Sequence, residues 1–221
     1  MKDTRSMILY MSGIPESETR LKCFFDVLTE KVREHSDLKE VFELYKRQIT
    51  RNNVLNAISK LAKFLEEPGN VGFIYYFGHG DQIRDTNGDE ADGRDEIWRL
   101  CGGSHIVDDE ISNAFRKIHE KSKLILFSDS CSSGTMMDRS LNTRNWVSFT
   151  SCRDNEDSLS SVEGGVCTLW GYLPAVKASN KTTTPKQLYD QICGNIQIPS
   201  QHPQLNSGNN LVLKYGLFKL C

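Results

Sequence analysis

No apolar stretch in the 221-residue chain approaches the roughly 20 residues that a membrane-spanning helix needs. The first residues, Met1-Lys2-Asp3-Thr4-Arg5, lack the apolar run of a signal peptide, so no secretory route is expected. Charge of one sign is also missing. Twenty-seven Lys and Arg stand against 29 Asp and Glu, a formal net charge of −2, which argues against nucleic acid or an anionic membrane as partner. The seven cysteines are Cys23, Cys101, Cys131, Cys152, Cys167, Cys193 and Cys221, an odd number with no CxxC pair. That pattern argues against a disulfide framework or a zinc site. It suits reduced thiols in a cytoplasmic setting. Repeats and low-complexity segments are absent, and the Asn180-Lys181-Thr182 sequon reads as chance without a secretory signal.

What remains is an ordinary globular composition, 38% hydrophobic and 25% charged, long enough for one domain over residues 1–221 with a substantial core. Strand and helix signals alternate. Ser6 to Met11 reads as a strand, and Leu21, Phe24, Phe25, Val27, Leu28 and Val32 mark an amphipathic helix to about Glu34. Val41 to Tyr45 is a short strand. Thr50 caps a helix bearing Val54, Leu55, Ile58, Leu61, Phe64 and Leu65, which ends at Pro68-Gly69. A polar loop over Asp81–Glu96 precedes a β region from Ile97 to Val107. Asp108 and Asp109 then stand at the mouth of a helix carrying Ile111, Ala114, Phe115 and Ile118. Trp146 to Ser151 is a strand, and a helix within Gly165 to Lys177 must kink or end at Pro174. Thr184 and Pro185 open a last helix, and Leu211 to Tyr215 is expected to close as a strand. Such alternation predicts an α/β sandwich with a central, mainly parallel sheet flanked by helices.

Two apolar strands end in reactive side chains. Val71-Gly72-Phe73-Ile74-Tyr75-Tyr76-Phe77 runs into Gly78-His79-Gly80, and Lys123-Leu124-Ile125-Leu126-Phe127-Ser128 runs into Asp129-Ser130-Cys131. Neighbouring strands of a doubly covered sheet would deliver both side chains to its carboxyl edge, where ligands bind in such folds. A lone cysteine is usually a small buried hydrophobe, and a lone histidine a satisfied polar group. Paired, they suggest a nucleophile and its base, because a thiol of pKa about 8.5 is only a few per cent ionised at neutral pH. The small residues around them leave room for a substrate and free N–H groups for an oxyanion.

These residues, taken with the acidic run Asp85 to Glu96, Ile106-Val107-Asp108-Asp109-Glu110 and Asp129-Ser130-Cys131-Ser132-Ser133-Gly134, resemble the motifs of the metacaspases within the caspase-like fold. Softer similarity covers Leu21–Asp26, Thr50–Val54, Ser151–Glu156 and His202–Leu205, in the family's order. The resemblance is to a minimal form without an N-terminal prodomain. A large-subunit-like portion over about 1–140 and a small-subunit-like portion over about 145–221 would be joined near Arg139 to Asn145.

The resemblance implies that Cys131 is the nucleophile, His79 its acid–base partner, and the N–H groups of Gly80 and Cys131 the oxyanion donors. It places Cys23, Asp26 and Asp129 in the pocket for the residue before the scissile bond. Two carboxylates there would favour Arg or Lys in a peptide or protein substrate. Where the family usually has a small serine, two residues before the histidine, this chain has Phe77, whose bulk would reshape the pocket. The family binds Ca²⁺ through aspartates whose positions correspond to Asp92, Asp108, Asp109 and Asp138. An EF-hand reading of Asp85, Asn87, Asp89 and Glu96 fails because Glu90 occupies the turn position that needs glycine. The expectation is a monomeric, calcium-dependent cysteine endopeptidase, with the Arg139 and Arg144 bonds open to self-cleavage. The alternative is a catalytically weak caspase-like scaffold that binds partners or calcium. A preference for Asp is disfavoured because it would call for a basic pocket.

Overall fold

The structure, a computed structural model, describes residues 4–14, 18–88, 90, 92–137, 141, 144–161 and 164–218. The chain opens with β1 (Arg5–Ser12), crosses through α1 (Glu18–His35) to β2 (Asp37–Tyr45), and returns through α2 (Arg51–Leu65) to β3 (Asn70–Phe77). Three short strands follow, β4 (Gly80–Arg84), β5 (Arg94–Arg99) and β6 (His105–Val107), then α3 (Asp108–Ala114) and β7 (Lys123–Asp129). Beyond β8 (Trp146–Thr150) lie the two-residue pair β9 (Ser160–Ser161) and β10 (Gly164–Gly165), α4 (Leu173–Ala178), α5 (Pro185–Asn195) and β11 (Gln204–Ser207).

The central sheet has the order β11-β8-β7-β3-β1-β2, and every neighbouring pair is parallel except β11 with β8. Strand alternation divides the core between its two faces. Ile8, Tyr10, Phe73, Tyr75, Ile125 and Phe127 turn to the layer that holds α1, α4 and α5. Leu9, Met11, Ile74, Tyr76, Leu124 and Leu126 turn to the layer of α2 and α3. Each such fully buried side chain contributes about 1.5–3 kcal/mol of transfer free energy, which fixes the strand register. The expected α/β sandwich is therefore found.

Helix caps follow the sequence at two ends. Thr50 Oγ1 accepts from Asn53 N, and Thr184 forms a reciprocal box with Gln187. Asp108 and Asp109, in contrast, are not the cap of α3. Val107 is the N-cap, Glu110 reaches back to its N–H, and the two aspartates occupy the first turn. Part of the expected polar loop is a strand, β4, whose pairing with β5 supplies the order that its polar side chains do not. Leu211 to Tyr215 is not a strand; Val212–Lys214 form a 3₁₀ turn, and β11 is the antiparallel edge. The helix around Pro174 starts as a wide π turn over Cys167–Tyr172, which relieves the clash that proline would make with a tighter preceding turn.

Candidate active site

Register carries the reactive residues to one place. Phe77 at the end of β3 pairs with Asp129 at the end of β7, so the segments holding His79 and Cys131 leave the sheet side by side. Gly80 then passes so close to the nucleophile loop that an added Cβ would lie 2.0 Å from the Cys131 carbonyl oxygen. The His79 carbonyl accepts from Arg99 N at 2.9 Å, which makes Gly80 and Trp98 a non-hydrogen-bonded pair. The Gly80 N–H therefore points away from β5. The Cys131 N–H has no hydrogen-bond partner among the described residues, and Ser132 beyond it holds φ at +47°, a strained value for a side-chain-bearing residue.

His79 is exposed, and its imidazole is not hydrogen bonded to the thiol. The half-buried Cys131 Sγ instead takes the Ser158 N–H at 3.4 Å and lies 3.9 Å from the Ser158 carbonyl oxygen. Burial pushes the thiol above its ordinary pKa, the Ser158 N–H opposes this, and the Asp157 carboxylate adds to the rise. The thiol at rest is thus protonated and engaged by the loop after β8.

Asp129 is 1% exposed. Ser158 Oγ donates to its Oδ1 at 2.6 Å and Thr168 N to its Oδ2 at 2.8 Å, while burial pushes the carboxyl above its usual range against these bonds. A Cβ on Gly165 would lie 2.0 Å from Oδ2 and 2.7 Å from the Phe77 ring, so Gly165 and Phe77 close the space beside the carboxylate. Cys23 and Asp26 lie exposed on α1. Arg144 is half-buried in the turn before β8; its carbonyl accepts from Trp146 N and Asn209 Nδ2, so cleavage there would require that turn to open. Arg139 and Asp138 lie outside the described residues.

A second cluster stands behind the nucleophile loop. Carboxylate oxygens of Glu90, Glu96 and Asp108 lie within 4.8 Å of one another. Burial, reinforced by Glu96, Asp95 and Glu90, pushes Asp108 up to about 8, and burial also raises Glu96. Neither Glu96 nor Asp108 is ion-paired with a Lys or Arg among the described residues. Buried, uncompensated hard oxygen donors fit a divalent cation. Of the four aspartates singled out, Asp108 belongs to this cluster. Asp92 is exposed, with its Oδ1 on Arg94 N, yet raises Glu96 through space. Asp109 accepts from Asn87 Nδ2 at 2.7 Å. Asp85 is occupied by the N–H groups of Asn87, Gly88 and Glu90, consistent with rejecting an EF-hand.

Glu90, Glu96, Ser158, Thr168 and Gly165 were not singled out from sequence as members of these sites. The one available signal was the place of Glu96 directly before Ile97 and Trp98, in a strand that buries Asp95 to Trp98 without a break.

A mainly parallel sheet that delivers a cysteine and a histidine from adjacent strand ends places the chain among the caspase-like folds. Solved structures agree. A protein from Geobacter sulfurreducens superposes with a TM-score of 0.75 at 22% identity, covering 98% of this chain and 99% of that one. Caspase-1 from Spodoptera frugiperda superposes at 0.62 and 9% identity, covering 94% and 87%. Residues 20–140 match the family described as Metacaspase, peptidase C14 domain. The chain belongs to that family of cysteine peptidases. Metacaspase-1A of Neurospora crassa is 38% identical over 97 residues, 41% of this chain and 21% of that protein. Metacaspase-1 of Botryotinia fuckeliana is 39% identical over 97 residues, 41% and 22%. The matched region thus spans about a fifth of these relatives' lengths.

Proposed function

We propose that the chain is a calcium-dependent cysteine endopeptidase that cuts after Arg or Lys, with Cys131 as nucleophile and His79 as acid–base partner. The observation that carries this is the emergence of both residues from paired strands, with Gly80 pressed against the Cys131 backbone. His79 takes the thiol proton, the thiolate attacks the carbonyl, and the N–H groups of Gly80 and Cys131 receive the oxyanion. His79 then protonates the leaving amine, and water hydrolyses the acyl-enzyme. Asp129 supplies the charge that selects a basic side chain, but only after Ser158 and the Phe77/Gly165 contact have moved off it. Asp26, the other carboxylate matched to that pocket, lies exposed on α1 and belongs to the pocket in this reading.

The resting arrangement therefore needs a release. Glu90, Glu96 and Asp108 would hold the cation, with Asp92, Asp109 and Asp138 as further candidates, and it would supply there the positive charge that the buried Glu96 and Asp108 carboxylates lack among the described residues. Contacts connect this cluster to the thiol. Glu96 accepts from Thr135 Oγ1, four residues past Cys131. Gly134 abuts the Arg153–Asp154 backbone, where a Cβ would lie 2.6 Å from Asp154 N. The turn from there leads to Ser158 on the thiol. The thiols of Cys101, Cys131, Cys152, Cys167 and Cys193 are free, as a reducing, cytoplasmic setting would keep them, and the reading takes the protein as a monomer. Self-cleavage in the Arg139–Asn145 link belongs to the same reading.

The test is hydrolysis of fluorogenic peptides ending in Arg, Lys or Asp, with calcium or chelator, by wild type and Cys131→Ala. Calcium-dependent cleavage after Arg or Lys, absent in the variant, is expected. Cleavage after Asp refutes the pocket assignment, and indifference to chelator refutes the switch. The engaged thiol and the covered Asp129 favour one second reading, a partner-binding scaffold; silence from folded protein under every condition would establish it.

A further inference from the structure

The sheet order sets a direction for the substrate. β7, with Asp129 and Cys131, lies on one side of β3, and β1 and β2 lie on the other. When the tetrahedral intermediate collapses, the C–N bond breaks and the leaving nitrogen takes its proton from His79. The chain that follows the scissile bond therefore departs past His79, away from Asp129, over the ends of β1 and β2. A cleft of about 680 Å³ opens there, and His79 itself lines it. Gly13 after β1, Tyr45–Gln48 after β2 and the β5–β6 turn form its other walls.

The lining has one sign of charge. Lys46, Arg47 and Arg99 contribute cations, His105 and His79 contribute imidazoles, and no Asp or Glu lines the cleft among the described residues. This local excess stands out in a chain of net charge −2. Arg99 is paired from outside by Asp81, and Glu43 reaches the Tyr45 hydroxyl near the rim. Arg47 is exposed, and its side chain makes no ion pair or hydrogen bond among the described residues. Lys46 is held at φ +51°, one of two non-glycine residues with positive φ among those described; the other is Ser132, beside the nucleophile. Backbone strain is retained where surroundings enforce it, often at ligand sites.

We propose that this cleft receives the substrate segment that follows the scissile bond and selects acidic side chains there. The inference rests on the peptidase reading and adds a second requirement to it: a basic residue before the cut and acidic ones after it. Arg47 and Arg99 meet the downstream carboxylates, for which guanidinium offers bidentate geometry. These contacts form only with substrates that extend beyond the scissile bond.

Internally quenched peptides test this, sharing an Arg-terminated upstream half and carrying Glu-Glu, Gln-Gln or Lys-Lys downstream. An Arg coumarin amide, which has no downstream residues, reports the peptidase itself. Wild type should show a kcat/KM for Glu-Glu over Lys-Lys of about five-fold or more, shrinking as salt screens the cleft. Arg47→Ala should narrow that ratio, and Arg47→Glu should bring it to unity or invert it. Cleavage of the amide with equal rates on all three peptides overturns the cleft assignment alone. A labelled Glu-rich peptide bound to Cys131→Ala gives an independent reading by fluorescence anisotropy. Selective binding that Arg47→Glu removes, in a protein that cleaves nothing, overturns the peptidase reading and keeps the cleft as an acidic-peptide site. Neither cleavage nor binding overturns both.

Discussion

Cys131 and Asp129 sit two residues apart on one strand exit, and both are covered in the resting structure by the same residue, Ser158. Because burial raises the Cys131 pKa, its thiolate forms only above the ordinary thiol range. Alkylation by iodoacetamide, followed by mass spectrometry, should therefore keep accelerating at Cys131 at pH values where an ordinary exposed thiol, of pKa about 8.5, has already levelled off. A plateau below pH 8 would show an already activated thiol. Phe77 makes the second expectation at this scale. Phe77→Ser would remove the ring that abuts Gly165 beside Asp129 and raise kcat/KM on Arg substrates. The lost packing would cost about 3–5 kcal/mol, read in chemical denaturation. Unchanged kinetics in a folded variant would remove Phe77 from the pocket.

The turn between β8 and β9 is the element on which the resting state depends. Glu156 organises it: its carbonyl accepts from Ser132 N and the Cys152 thiol, and its carboxylate accepts from Arg153 N and His202 N and contacts the His202 ring. Burial tends to raise the Glu156 pKa, but the bonds from Arg153 and His202 win and lower it. A lowered folded pKa means that its contribution to stability is present above the unfolded value, about 4.3, and is lost as pH falls through the folded one. Glu156→Gln should cost about 1–2 kcal/mol at neutral pH, quicken Cys131 alkylation, and weaken the acid dependence of both. If alkylation is no faster in the variant, Ser158 is not what restrains the thiol.

At the scale of the molecule, the proposal joins the acidic cluster to the sheet edge. Three close carboxylates destabilise the metal-free fold through mutual repulsion and desolvation. Calcium at about a hundred times its Kd should therefore add about 2.7 kcal/mol of stability, seen as a rise in Tm. Glu96→Gln or Asp108→Asn should shrink that rise, and both variants should be intrinsically no less stable without calcium. An equal calcium shift in wild type and both variants would move the site elsewhere.

The alternation of apolar strands and amphipathic helices determined the α/β layering: α2 was legible from its one apolar face, and β3 and β7 from unbroken apolar runs that must be covered on both faces. The positions of His79 and Cys131 just beyond buried strands, and of Asp129 at the end of one, were equally legible. The tertiary structure alone decided what depends on distant partners. β4 and β11 are polar segments ordered only by pairing with β5 and β8. Leu211–Tyr215 looked like a strand because apolar content does not reveal whether an edge is free to receive it. Glu90, Glu96 and Asp108 converge across a hairpin and a helix mouth. The cationic cleft gathers residues from the ends of two separate strands and a turn. Local sequence sets which way a side chain faces, and only the folded chain sets what it meets there.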